Sequence, residues 1–443
     1  MNIKHRTFLI IALAALVGLA AACDNGGASE STIPGSNPKH IHSWGAWLPT
    51  GIEGTEERIC KSNDAHRETR LTGTERFIFE PIGSAAYRIR KNTRPGGVKS
   101  GAVVLPDYYR PNAAATFLPV TEIGSAADDY STGAFVNDYE ITAVHIPAHV
   151  IVIGEWAFGH CHRLETVTIT EDSHLGKIGD EAFYNTKITG IAIPAGVTEI
   201  GSSTFDHCYD LADLTIAGDS RLEKIGRNAF CHTAITSIVI PAGVTEISHD
   251  AFRDCTSLAS VTFAQDSRLE RIGRDAFEAT AITAIVIPAG VTVIDERAFE
   301  LCAGLKTVTF AEGSLLERIG RDAFYKCTAL TGIIIPAGVT ELDHYAFDHC
   351  YDLETVIFEG DSLLERIGSH VFDGATKVAS ITIPAGVTYL GYNIFDKWTS
   401  SQTIYFKGFA YEQEANDACN DTNFWKEGCN AKIWYWDGIK YVP

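Results

Sequence analysis

Apolar residues recur at fixed offsets along most of the chain, in short groups separated by polar residues. Leu258, Val261 and Phe263 form one such group, and the segment 282–287 repeats its spacing. Because alternate residues of a strand face the same side, both groups predict short strands with one apolar face. Pro288 follows the second strand and ends it, since proline has no amide hydrogen for a strand ladder.

A second apolar pair and an aromatic residue complete the unit. Val291 and Ile294 predict a shorter strand facing the same core, and 295–299 predicts one helical or 3-10 turn that buries Phe299. Each unit, or rung, would bury about five large apolar side chains, worth roughly 1.5–3 kcal/mol each. One rung alone would be unstable, because its core is completed only by its neighbours.

The repeats have a regular period. The phrase Ile-Pro occurs with spacings of 47 or 48 residues, at Pro147, Pro194, Pro241, Pro288, Pro336 and Pro384. The rung phenylalanines divide each period into two units of about 25 and 22 residues: Phe135, Phe158, Phe183, Phe205, Phe230, Phe252, Phe277, Phe299, Phe324, Phe347, Phe372 and Phe395. Self-similarity of this kind predicts a solenoid of about twelve rungs of 22–25 residues.

The consensus Ile-Pro-x-x-Val-Thr-x-Ile-Gly-x-x-Ala-Phe-x-x-Cys-x-x-Leu-x-x-Val resembles the BspA-like leucine-rich repeat of bacterial surface proteins. The resemblance implies a leucine-rich-repeat solenoid over 103–406, with an N-terminal cap at 75–102 and an aromatic-rich C-terminal cap at 407–443. It also implies surface exposure and adhesion to host extracellular-matrix or neighbouring-cell proteins.

The N-terminus has the features of an export signal. Basic Lys4 and Arg6 precede a short apolar core and small residues, so 1–22 is predicted to be a signal peptide. Cys23 resembles the lipidated cysteine of a bacterial lipoprotein, and 23–39 is predicted to be a flexible tether. A plain secretory signal with a chance cysteine is the alternative, and Asp24 leaves the choice between inner and outer membrane open.

Residues 40–74 form a small separate surface module. It resembles a short module that carries paired cysteines and a histidine, but here only Cys60 and His66 remain. Since a zinc site requires four ligands, two give little support for a metal. A two-stranded surface decoration is favoured.

Charge and motifs exclude several functions. The chain has 36 basic and 56 acidic residues and a net charge of −20, which argues against nucleic-acid binding. No nucleophile elbow, H-E-x-x-H motif or phosphate-binding loop is present, and no cofactor is predicted. The protein is therefore expected not to be an enzyme.

Cysteines and histidines fit a structural role. Six cysteines follow the rung phenylalanine by three residues, which predicts buried free thiols: Cys161, Cys208, Cys255, Cys302, Cys327 and Cys350. The segments 206–210 and 348–352 share the sequence Asp-His-Cys-Tyr-Asp but lie several rungs apart, so no metal site is predicted. Cys419 and Cys429 in the C-terminal cap are the candidate disulfide in an exported protein.

The outward residue of each first strand gives the candidate binding face, which we call the binding column. Its members are small or β-branched and carry no charge: Ala192, Val239, Thr262, Val286, Thr309, Ile334, Ile357 and Thr382. Exposed apolar patches mark interaction sites. The alternative is that these residues are present only because β-branched side chains favour strands.

Two functions remain open. The favoured one is a lipid-anchored surface protein of the cell envelope, in the outer membrane, that binds a protein ligand. The alternative is a non-adhesive scaffold lipoprotein of the periplasm or envelope.

Overall fold

The computed structural model describes residues 77–91, 101–105, 118–124, 133–417, 424–436 and 438–442, together with four strands by their backbone: Leu48–Pro49, Thr55–Cys60, Asn63–Leu71 and Tyr108–Tyr109. The predicted signal peptide, Cys23 and the tether lie outside these residues. Among the residues that the structure describes, no helix has the length and apolar character needed to cross a bilayer.

The chain winds into a solenoid with three sides. The first side is made of parallel strands whose alternate residues are buried: Gly101–Val104, Ile141–Ile146, Thr166–Ile169, Gly190–Ile193, Asp213–Ile216, Ser237–Ile240, Ser260–Phe263, Ala284–Ile287, Thr307–Phe310, Gly332–Ile335, Thr355–Phe358, Ser380–Ile383 and Thr403–Phe406. The predicted strand at each apolar group is confirmed.

The second side is a continuous sheet of shorter parallel strands: Leu118–Ile123, Val152–Ile153, Lys177–Ile178, Glu199–Ile200, Lys224–Ile225, Glu246–Ile247, Arg271–Ile272, Val293–Ile294, Arg318–Ile319, Glu341–Leu342, Arg366–Ile367 and Tyr389–Leu390. In each two-residue strand the second residue is buried. The described residues thus form eleven regular rungs from Ile141 to Phe395, preceded by an irregular first rung whose described strands are Gly101–Val104 and Leu118–Ile123. The predicted leucine-rich-repeat solenoid is confirmed.

The third side consists of turns centred on the rung phenylalanines, and it differs from the expected helical or 3-10 turn. From Phe158 to Phe395, the residues two positions before and two after each Phe have left-handed φ values between 49° and 74°. Helical hydrogen bonding cannot continue through such residues. The amides of these left-handed residues bond instead to the next rung, as when the N–H of Asp254 donates to the carbonyl oxygen of Glu278 at 3.0 Å.

The phenylalanine rings form one column through the core. The twelve rings from Phe135 to Phe395 stack at centroid distances of 5.1–6.0 Å, with successive planes within 14° of parallel. Each ring is buried, so every rung supplies a wall of the cavity that the next ring fills. This is the physical reason why the rungs need their neighbours.

Close approach between rungs requires glycine after some of the second-side strands. A Cβ atom on Gly226 would lie 2.5 Å from the carbonyl carbon of Gly201 in the preceding rung. Real Cβ contacts are never that short, so a larger residue at Gly226 would force the rungs apart. The Ile-Gly pairs of the repeat therefore have a steric cause.

Both ends of the solenoid are covered by elements that do not follow the repeat. At the N-terminal end the antiparallel strands Phe77–Ile82 and Ala86–Lys91 extend the second side, and Phe77 packs edge-on against Phe135 at 5.9 Å. At the C-terminal end lie the helix Glu412–Asp417, the 3-10 turn Phe424–Lys426 and the strands Lys432–Trp436 and Tyr441–Val442. The region 40–74 contains three antiparallel strands instead of the expected two.

Candidate functional site

The binding column lies on the outer surface of the first side. The strand residues on either side of each member point into the core, because successive side chains of a strand alternate between faces. Val239 and Val286 are each 58% exposed, and Ile334 and Ile357 are each 52% exposed. Ala192, Thr262 and Thr309 are exposed as well, whereas Thr382 is half-buried.

Register places the members of the column side by side. Val239 is paired with Thr262, Val286 with Thr309, and Ile334 with Ile357 in the parallel ladders. Neighbouring strands lie about 4.8 Å apart, so aliphatic and threonine methyl groups from successive rungs form one surface. Exposed β-branched residues at this density leave apolar area in water that a partner protein can bury.

A shallow groove of about 670 Å³ lies at the centre of this surface. Its lining includes Thr262, Val286 and Thr309 of the column, together with Gln265 and Pro288 at its rim. The groove is mostly apolar with a few hydroxyl and amide groups. Such a surface suits a protein segment better than a charged ligand, because no ionised side chain lines it.

The second side has the opposite character. Glu199 accepts from Lys224 at 2.8 Å and lies 2.9 Å from Lys177, so three successive rungs are joined by one carboxylate. The hydrogen bond to Lys224 is the main cause of the lowered pKa of Glu199. Arg318 is ion-paired with Asp343 and Glu341 in the same way. The second side is thus charged where the binding column is not.

Sequence reasoning missed the aromatic end of the column. Thr382 is paired with Tyr405, and Tyr405 with Trp434 of the C-terminal cap. The sequence signal was that an isoleucine precedes the aromatic residue in both strands. The register that pairs Ile404 with Ile433 also pairs Tyr405 with Trp434. The column therefore extends beyond Thr382 into the cap.

The third side places the cysteines as expected. The six cysteines of the repeat are buried free thiols within the described chain. Each donates its S–H to the carbonyl oxygen of the preceding rung's phenylalanine, at 3.0–3.3 Å. Cys419 lies outside the described residues, so the disulfide with Cys429 stays a prediction.

The structure also brings together three side chains that sequence reasoning left apart. Asp206, His207 and His232 have potential metal-ligand atoms within 4.8 Å of one another, the only such group found among the described residues. The signal that would have found it is the position of each histidine relative to its rung phenylalanine. His207 and His232 both follow that residue by two positions in adjacent rungs.

Comparison with known proteins agrees with the fold. The family model for the BspA type leucine-rich repeat region matches residues 129–259, 223–354 and 313–419, with six copies. The chain belongs to this family. Leucine-rich repeat proteins generally bind other proteins. No curated protein matches the BspA type chain described here.

Solved structures of bacterial repeat proteins are similar to this BspA type protein. A leucine-rich repeat protein from Bacteroides ovatus is 24% identical over 75% of this chain and 87% of that chain, with a TM-score of 0.54. A leucine rich cell surface protein from Faecalibacterium prausnitzii is 24% identical over 79% and 97%, with a TM-score of 0.38. The pneumococcal vaccine antigen PcpA is 17% identical over 81% and 96%, with a TM-score of 0.44.

Proposed function

We propose that this protein binds another protein through the first side of its solenoid, with the binding column as the central contact. The observation that supports the proposal most directly is the run of exposed, uncharged side chains from Val239 to Ile357 on successive parallel strands. Burying a few such side chains supplies the apolar contact at the centre of most protein interfaces.

The second part of the proposal concerns location and use. The N-terminal signal and Cys23 support export and lipidation, which would hold the solenoid at the outer surface of the cell envelope beyond a flexible tether. The resemblance to BspA-like proteins supports adhesion to host matrix or neighbouring-cell proteins as the use of this binding.

The binding column is tested by adding charge to it. Val286→Glu combined with Ile334→Glu should lower binding to a panel of purified extracellular-matrix proteins at least tenfold, because an interface would have to bury two carboxylates. The matched control is Leu315→Glu with Leu363→Glu, since both leucines are 60% exposed and lie outside the column. Equal binding by the two double variants would contradict the assignment of the column.

The location is tested separately. Protease applied to intact cells should remove residues 40–443, whereas protection of this segment would support the scaffold lipoprotein inside the envelope. Metabolic labelling with palmitate should be lost in Cys23→Ser. Labelling that persists in this variant would contradict the lipid anchor.

A further inference from the structure

Four residues with metal-binding side chains lie together on the third side of the solenoid, away from the binding column. Asp206 and His207 follow Phe205 by one and two positions, and Cys231 and His232 follow Phe230 in the same way. The amide of His207 donates to the carbonyl oxygen of Cys231 at 3.1 Å, so the two pairs are held side by side.

The ligand atoms of Asp206, His207 and His232 converge, and the thiol of Cys231 adjoins the second of the two histidines. Oδ1 of Asp206 lies 2.6 Å from Nδ1 of His207 and 3.3 Å from Nδ1 of His232. The two imidazole rings have centroids 4.5 Å apart, and Sγ of Cys231 lies 3.1 Å from Nδ1 of His232. Asp206 is buried, which fixes the position of its carboxylate.

We propose that Asp206, His207 and His232 bind a divalent metal ion of the zinc type, and that Cys231 turns toward the ion and loses its thiol proton to become the fourth ligand. Zinc in proteins takes four ligands from Asp, His and Cys, at about 2.0–2.3 Å in a tetrahedral arrangement. Ligand atoms around such an ion are roughly 3.3 Å apart, so the separations of Asp206 from the two histidines require only small side-chain rotations. Coordination would replace the hydrogen bonds that now join these atoms.

A second carboxylate contacts His232 on the ring nitrogen that faces away from the proposed metal. Oδ2 of Asp254, in the following rung, lies 3.5 Å from Nε2 of His232, the ring nitrogen that does not face Asp206. A carboxylate on the remote nitrogen of a ligating histidine is a common feature of zinc sites, because it orients the ring and increases its basicity. Asp254 is therefore a positioning residue in this proposal.

The same chain contains an incomplete copy of the arrangement. His349 is bonded through Nδ1 to Asp348 at 2.6 Å, as His207 is to Asp206. In the rung after His349, the positions equivalent to Cys231 and His232 hold Asp373 and Gly374. The Asp-His pair alone is thus a repeated structural feature, and only the 206–232 region adds a second histidine and a thiol among the described rungs.

A metal at this place would join two rungs that otherwise contact each other through the core and backbone. A ligand that binds only the folded chain stabilises it, and the effect grows as the ligand concentration exceeds its Kd. The ion would act as a clip between the rungs of Phe205 and Phe230. This revises the expectation, drawn from sequence, that His207 is an isolated turn residue.

Zinc binding to the purified full chain tests the proposal. Isothermal titration with zinc chloride should show one more site in the wild type than in His232→Gln or Asp206→Asn, and Asp254→Asn should weaken that site about tenfold. The matched control His349→Gln should bind as the wild type does, and circular dichroism should show the same fold for all variants. Equal zinc stoichiometry and affinity in the wild type and His232→Gln would overturn the proposal.

Cobalt gives a second readout that does not depend on stability. Cobalt(II) bound to wild type should show the near-ultraviolet band of a thiolate-to-metal transition, and Cys231→Ser should lose it. A band that persists in Cys231→Ser would refute the assigned fourth ligand, and the absence of tetrahedral cobalt absorption in wild type would refute the site.

Discussion

The thiol of Cys255 donates a hydrogen bond to the carbonyl oxygen of Phe230, 3.0 Å away in the preceding rung. The same thiol lies 3.3 Å from the hydroxyl of Thr233, which in turn donates to the Phe230 carbonyl at 2.9 Å. One backbone oxygen is thus satisfied by two side chains from different rungs. A small, weakly polar side chain is required here, because a buried carbonyl without a partner would destabilise the fold.

The repeat cysteines should be chemically inert in the folded protein. Burial raises the pKa of Cys302 to about 11 and that of Cys208 and Cys255 to about 12, so almost no thiolate is present at pH 8. Iodoacetamide at pH 8 should leave all three unmodified in native protein and modify them in urea, as measured by peptide mass spectrometry. Rapid native labelling of Cys255 would contradict the burial of this column.

The phenylalanine column should be the most sensitive part of the core. Phe277 is stacked between Phe252 and Phe299 at 5.3 and 5.4 Å. Phe277→Ala should lower the free energy of unfolding by about 3–5 kcal/mol, because it removes apolar contact and leaves a cavity that two rungs share. Urea unfolding measures this, with Val286→Ala on the exposed first side as the control. A loss in Phe277→Ala no larger than the control's would contradict the stacking.

The left-handed residues of the third side should favour glycine. Ala279 has φ of 56°, a conformation that is unfavourable for residues with a Cβ atom. Ala279→Gly should therefore raise the free energy of unfolding by about 0.5–1 kcal/mol despite the greater entropy of the unfolded chain. Ala303→Gly, at an exposed position without positive φ, should lower it by about 0.4–1 kcal/mol. Destabilisation by both changes would argue against the left-handed turn.

Acidic residues of the third side should make stability depend on pH. Burial, with Asp322 and Asp275 nearby, raises the pKa of Glu300 from 4.5 to about 7. The folded protein therefore holds a proton that the unfolded chain has released, and this stabilisation is complete below pH 4.5 and lost as the pH rises through 7. Glu300→Gln cannot ionise, so it should be more stable than wild type at pH 8.

The size of that gain should be modest. Solvent screening limits it to about 1 kcal/mol at pH 8, and it should disappear at pH 4. Thermal unfolding of both proteins at the two pH values measures it, with the exposed Glu354→Gln as control. A gain that is the same at pH 4 and pH 8 would show that Glu300 does not remain protonated in the folded state.

Much of the fold was predictable because each rung repeats the same local chemistry. Val261 and Ile285 alternate with exposed neighbours, and Pro288 ends its strand, so the strands and their faces follow from the pattern alone. The exposure of Val286 and Ile334 follows from the same alternation. Cys255 could be placed inside because its offset from Phe252 is constant along the chain.

Other features depend on contacts between rungs, which no local pattern contains. The turns around Phe252 were expected to be helical, but alternate amides there bond to the next rung, and the others close short turns within their own rung. Trp434 joins the binding column only because a cap strand adds to the sheet in register. His207 and His232 meet because each follows its rung phenylalanine by two positions, and Phe205 and Phe230 are stacked in adjacent rungs.

The sequence by itself determined that the chain is a solenoid, which residues face its core, and that its first side carries little charge. The alternation of apolar and polar residues and the fixed period of the repeat suffice for these conclusions. Both follow from the burial of apolar side chains and the geometry of strands, which act within each rung. Only the tertiary structure decided the left-handed turns and the cluster of Asp206, His207, Cys231 and His232. These arise from hydrogen bonds and stacking between neighbouring rungs, whose partners are about 25 residues apart in the chain.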